Sequence, residues 1–130
     1  MNLIDFLRKN VENYGDKVAV IDKSREITFY QLYEEVKKFS NNLDILNQEE
    51  IISLISENSI SFIIAYLGII NSGKIVHLIS PDISEINLFN QLKSSKSKNI
   101  ICNQLTKNKI SNFNSIKATI FDIEEILFKK

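Results

Sequence analysis

Three aliphatic runs, Ile51-Ile-Ser-Leu-Ile55, Ile75-Val-His-Leu-Ile79 and Lys98-Asn-Ile-Ile-Cys102, constrain this chain more than any other feature. None alternates apolar with polar residues, as a strand with one wet face does. Such runs belong to strands covered by helices on both faces, the usual condition of parallel sheets. Helical segments separate them, Ser59 to Asn71 and about Ser84 to Lys93. That alternation predicts an α/β fold, a mostly parallel sheet flanked by helices with right-handed crossovers. A polar stretch from Thr106 to Ser115 reads as a short helix or loop. A further strand is expected at Ala118-Thr-Ile-Phe121, then a helical tail from Ile123 to Lys130 without a stop signal.

The part before the first run reads as a helix, a hairpin and a second helix. Leu3, Phe6, Leu7, Val11 and Tyr14 recur at spacings of three and four and form one apolar stripe, with Gly15 as a stop. Val18 to Asp22 and Glu26 to Phe29 are β-prone, although no Asn-Gly or Asp-Gly fixes the turn between them. Thr28 and Gln31 have capping-box spacing, and Leu32, Val36, Phe39, Leu43 and Leu46 then mark the apolar side of a helix. Later, Gly73 suits a helix stop, Pro81 ends a strand, and Ser84 suits a helix cap. No repeat or linker divides the chain, so residues 1–130 read as a single α/β domain.

Composition narrows the function. Sixteen Lys plus Arg balance sixteen Asp plus Glu, so no net field favours nucleic acid or an anionic membrane. One cysteine and one histidine leave no intrachain disulfide and too few soft ligands for zinc, which points to a reducing, cytoplasmic setting. Asp5 and Arg8 interrupt what would have to be an apolar signal region. The most apolar window, Phe62 to Ile70, is shorter than the roughly 20 residues of a membrane span. Three glycines, Gly15, Gly68 and Gly73, cannot compose a Walker loop or a dinucleotide-binding turn.

Residues that could carry chemistry read as structural. His77 stands mid-strand with no second catalytic group in view, and reads as a hydrogen-bonded structural histidine. Cys102 lies in an apolar strand that would raise its pKa, and reads as core. The pairs Glu34-Glu35, Glu49-Glu50 and Glu124-Glu125 point about 100° apart on a helix and cannot share a site. Lys93-Ser-Ser-Lys-Ser-Lys98 lacks aromatic residues for base stacking and reads as a turn. Ligands of a parallel sheet gather beyond the strand C-terminal ends, which draws attention to Ser56-Glu-Asn58, Ser80-Pro-Asp82 and Asn103.

Five segments in order resemble the opening of the adenylate-forming, AMP-binding superfamily: acyl-CoA synthetases, nonribosomal-peptide adenylation domains and luciferase-like enzymes. Tyr14-Gly-Asp-Lys-Val-Ala-Val-Ile21 is similar to the family's P-D-K-x-A strand, with Gly15 in place of proline. Ile27-Thr-Phe-Tyr-Gln-Leu32 resembles its L-T-Y-x-E-L motif, and Asn58-Ser-Ile-Ser-Phe62 its N-S-x-E-F. Gly68 through Pro81 resembles L-x-A-L-K-A-G-A-V-V-V-P-L-N-P, with Leu78 for the first proline and Ser80-Pro81 for Asn-Pro. Ser84 to Leu92 is similar to the helix that follows.

The resemblance implies an N-terminal scaffold segment of a carboxylate-activating enzyme that uses ATP and magnesium. The phosphate loop, the adenine and ribose contacts and the lid lysine of that family lie further along than Lys130. No residue here is therefore expected to be catalytic, cofactor-binding or metal-binding, and the isolated chain is expected to be inactive. Its expected partner is the remainder of the synthetase, on the same or a separate chain. The competing expectation is a stand-alone α/β binding or interaction module derived from that family. A severed segment should expose an apolar face and self-associate, and Phe62 to Ile70 and Ile126 to Phe128 are the residues expected to form that face.

Overall fold

The computed structural model describes residues 3–43, 51–113 and 115–128; Leu46, Glu49 and Glu50 lie outside the described residues. The order of elements is α1 (Leu3–Tyr14), β1 (Val18–Ile21), β2 (Glu26–Thr28), α2 (Phe29–Asn42), β3 (Ile51–Ile55), α3 (Ile60–Asn71) and β4 (Ile75–Ile79). Then follow α4 (Glu85–Ser95), β5 (Asn99–Cys102), α5 (Gln104–Ile110), β6 (Thr119–Asp122) and α6 (Ile123–Leu127). The last four strands form one parallel sheet in the order β4-β3-β5-β6, and β1 and β2 form a separate antiparallel pair. An α/β chain with a parallel sheet and helices on both faces is what the aliphatic runs predict.

Alternation along the strands sends their side chains into two cores. Ile52, Leu54 and Ile101 pack against α1, α2, α3 and α6, whereas Ile55, Ile100 and Cys102 pack against α4 and α5. The expectation that every aliphatic strand is covered fails at β4. The sheet order puts β4 at the rim, with neighbours on one side only, and there Ile75 is 57 % and Leu78 49 % exposed. Where the apolar surface lies is also corrected. Residues of α3 are buried or half-buried, and Ile126 and Leu127 are buried, leaving Phe128 exposed from that tail. In α1 only Leu7 is buried, and Leu3, Phe6 and Tyr14 are exposed because α1 packs on α2 and α3 at the edge of the core.

Local chemistry sets the helix starts. Thr28 Oγ1 accepts from the Gln31 N–H at 3.1 Å, and Gln31 Oε1 accepts from the Thr28 N–H at 2.9 Å, a complete capping box for α2. Ser59 and Ser84 cap α3 and α4 by the first of these bonds alone, each hydroxyl accepting from the N–H three residues on. Gly68 and Gly73 are required for different reasons. A Cβ on Gly68 would stand 2.6 Å from Phe39 Cδ1, so its absence lets α3 close on α2; Ser40 Oγ then donates to the Gly68 carbonyl at 2.6 Å. Gly73 adopts φ +83° just past α3, the left-handed conformation that ends helices, and nothing lies within 4 Å of its missing Cβ. It serves as the helix stop that its place after the aliphatic segment suggests.

The hairpin turn is fixed by Asp22. Its Oδ1 accepts from the backbone N–H groups of Ser24 and Arg25, each at 2.9 Å, and from Ser24 Oγ at 3.0 Å. Oδ2 reaches across to accept from the Ile60 N–H at 2.9 Å, one of the donors left unpaired at the start of α3. These donors, that of Ile60 foremost, hold the carboxyl well below the usual carboxylate range.

Candidate functional site

The C-terminal ends of β3 and β4 border an open cleft of about 300 Å³. It is lined by Ser56, Glu57, Asn58 and Phe62 from the β3–α3 side and by Leu78 to Asp82 from β4 and the turn after it. Both strands end where polar residues and Pro81 interrupt the aliphatic run, so the two loops leave the sheet side by side. Ser56 Oγ donates to its neighbour's carbonyl, Glu57 O, at 3.2 Å, and Ser80 Oγ accepts from the Asp82 N–H at 3.2 Å. Ser56-Glu-Asn58 and Ser80-Pro-Asp82 are thus brought together. Asn103 stands beside the end of β3, its N–H donating to the Ile55 carbonyl at 3.3 Å, but it does not line the cleft: its side chain caps α5 by accepting from the Thr106 N–H at 3.0 Å. The chain turns outward in opposite directions after β3 and β5, so the topological switch point falls between those two strands. The cleft lies one strand further out, toward the rim.

The lining decides what can enter. It contains two carboxylate side chains, Glu57 and Asp82, with two serine hydroxyls over an apolar floor of Phe62 and Leu78, and no Lys or Arg. The lining therefore supplies no cationic side chain to a phosphate. Hydrogen-bond donors suit the cleft better. Among the described residues no three His, Cys, Asp or Glu side chains gather in a way that could hold a metal ion.

The other candidates are dispersed. Cys102 is buried at the centre of the α4–α5 core, in register with Ile55 on one side and Asp122 on the other. Burial, with the nearby Asp122 charge, pushes its thiol up to about 12. The thiolate is therefore absent near neutral pH, and Cys102 should resist a thiol-exchange reagent in the native protein and react fully once unfolded. Because the unfolded thiol ionises first, stability should fall as pH rises from about 9 toward 12. Rapid labelling of the native chain would refute this placement.

Glu124 and Glu125 serve different partners. Glu124 Oε1 accepts from Ser61 Oγ at 3.4 Å, while Glu125 pairs with Lys107 at 2.6 Å. That bond lowers the Glu125 pKa and raises that of Lys107. Glu34 lies 3.8 Å from Lys37 on the surface of α2. The run from Lys93 to Lys98 closes α4, with Lys96 in the left-handed conformation at φ 61°. His77 stands beside Ser53, its register partner on β3, with Nδ1 3.2 Å from Ser53 Oγ. The sequence reading did not anticipate two roles, those of Asp22 and of the serines near His77. No helix among the described residues is long and apolar enough to cross a membrane.

Known proteins match both the sequence and this fold. The family described as AMP-binding enzyme matches residues 7–128. The chain belongs to that family. Among its curated relatives, the probable acyl-activating enzyme 16, chloroplastic, of Arabidopsis thaliana is 34 % identical over 77 residues, covering 55 % of this chain and 11 % of that protein. An anthranilate CoA ligase in complex with anthranoyl-AMP superposes with a TM-score of 0.87 at 20 % identity, over 98 % of this chain and 27 % of that one. The Bacillus subtilis O-succinylbenzoate coenzyme A synthetase, in complex with ATP and magnesium ion, gives 0.81 at 16 % identity, over 96 % and 34 %. The chain thus spans about a tenth of that curated AMP-binding relative and about a third or less of these solved structures.

Proposed function

We propose that residues 1–130 are a single α/β scaffold section of an AMP-forming acyl-CoA synthetase or adenylation enzyme. In the complete enzyme a carboxylate is activated by ATP with magnesium to an acyl-adenylate; this section alone performs no chemistry. The observation that carries the reading is the family match over residues 7–128, in a chain that spans only 27 % of the anthranilate CoA ligase. The partner is the remainder of the synthetase, and without it the exposed Ile75, Leu78 and Phe128 favour self-association. A free buried thiol suits a cytoplasmic setting.

Carboxylate-dependent exchange of labelled pyrophosphate into ATP tests this, run across a panel of aryl and fatty acids. The purified chain should give no exchange above the blank. The same chain joined to, or mixed with, the polypeptide carrying the remainder should give exchange with at least one acid. Exchange by the chain alone would sink the scaffold reading, and a monodisperse chain that binds a ligand yet never complements would favour a stand-alone module.

A further inference from the structure

Beneath the end of α4 a row of serine hydroxyls leads to the chain's single histidine. His77 Nδ1 lies 3.2 Å from Ser53 Oγ, Ser53 Oγ 2.6 Å from Ser97 Oγ, and Ser97 Oγ 3.0 Å from Ser95 Oγ. Ser95 Oγ donates to the Leu92 carbonyl at 3.0 Å. The Ser97 N–H also donates to Ser95 Oγ, at 3.3 Å. Ser53 is fully buried and Ser97 nearly so, which leaves water little access to either hydroxyl.

The fifth contact takes its hydrogen from the Ser97 N–H; each of the other four needs one more, and each hydroxyl has only one to give. Three hydroxyls supply three. The direction is set at the far end, where a carbonyl can only accept, so the Ser95 proton is committed to Leu92. Ser97 must then donate to Ser95, and Ser53 to Ser97. The remaining hydrogen, between Ser53 and the imidazole, has to come from Nδ1. Were Nδ1 the acceptor, Ser53 would turn toward it and the single Ser97 proton would have to serve both Ser53 and Ser95. One oxygen pair in that row, 2.6 or 3.0 Å apart, would then face each other without a hydrogen, a costly arrangement at that separation.

We infer that the Ser95–Ser97–Ser53 relay holds His77 in its Nδ1–H tautomer and so leaves Nε2 as the unprotonated, basic nitrogen of the rim strand. Nε2 makes no hydrogen bond among the described residues. It is an acceptor for a hydroxyl, amide or ammonium group brought against β4. Because the relay ends on a carbonyl near the end of α4, it also ties that helix end to two neighbouring strands. This assignment is independent of the ligase reading.

Two-bond proton–nitrogen correlation spectra of protein labelled with nitrogen-15 in histidine test it directly, because His77 is the one histidine in the sequence. At a pH where the ring is neutral, Nδ1 should give the pyrrole-type signal and Nε2 the pyridine-type signal. Ser97→Ala removes the acceptor that directs Ser53, so the spectrum should move toward the Nε2–H tautomer, while Ser97→Thr should keep the original pattern. A pyrrole-type Nε2 in the unaltered protein would overturn the assignment. So would an unchanged tautomer in Ser97→Ala, which would show that the serines do not set it. If Ser97→Ala does not fold, Ser95→Ala at the half-buried end of the row takes its place, with the same shift expected.

Discussion

Phe39→Ala should destabilise the fold by about 3–5 kcal/mol, a large share of the roughly 5–15 kcal/mol that holds a domain together. Phe39 is fully buried on α2, and its ring fills the space that Gly68 leaves open on α3. Truncation removes the ring from a site whose opposite wall is backbone, which cannot swing inward to refill it. Urea titration followed by circular dichroism measures the effect, and a loss below about 1 kcal/mol would mean that the seam collapses freely. The pair also makes a coupling test. Gly68→Ala places a Cβ against the Phe39 ring, so it should be tolerated much better when Phe39 is already alanine, and the two changes should not be additive.

Ile101→Ala should cost about 2–5 kcal/mol, whereas Ile75→Ala should stay within about 0.5 kcal/mol. Both are isoleucines in aliphatic parallel strands. Ile101 is 0 % exposed on an inner strand, in register with Leu54 and Phe121, while Ile75 is 57 % exposed on the rim strand. Denaturation midpoints of the two variants read the strand order without a structure. Equal losses would contradict a sheet in which β4 is outermost, or would show that another chain covers it.

The existence of these strands was legible because short aliphatic runs without a polar face, separated by helical segments, suit strands covered on both sides. Their lateral order was not. Ile51–Ile55 and Ile75–Ile79 have nearly the same composition, yet one is central and the other marginal, and that depends on which way each crossover leaves the sheet. The caps at Thr28, Ser59 and Ser84 could be read from single residues because capping is local chemistry. Asp22 was harder, since half of its work is local to the turn and the other half is done at Ile60, far along the chain.

The polar row at the rim did leave a trace. Ser53 and His77 are each the middle residue of a five-residue aliphatic run, the same phase in two neighbouring parallel strands. Two such interruptions at matching positions imply that the strands lie in register with their polar groups touching. Ser97 could not be foreseen, because it comes from the turn after α4 and meets Ser53 only once that helix has crossed the sheet. The cleft was visible as a location, from where the strands end, but its acidity needed Glu57 and Asp82 to be seen lining it from its two sides.

The position of β3 also governs the order in which the sheet can assemble. Its ladder with β4 closes over α3 alone, Ile51 meeting Ile75, while its ladder with β5 joins Ile52 to Asn99 and must span α3, β4 and α4. Closing a longer loop costs more chain entropy, and pairings between distant segments slow folding. On loop length the β3–β4 and β5–β6 ladders, each closing over one helix, are expected to form before the β3–β5 ladder that joins the two pairs. The first strand of the sheet to leave the ribosome is the template on which its neighbours are laid down, and its other side stays open until the fifth strand arrives.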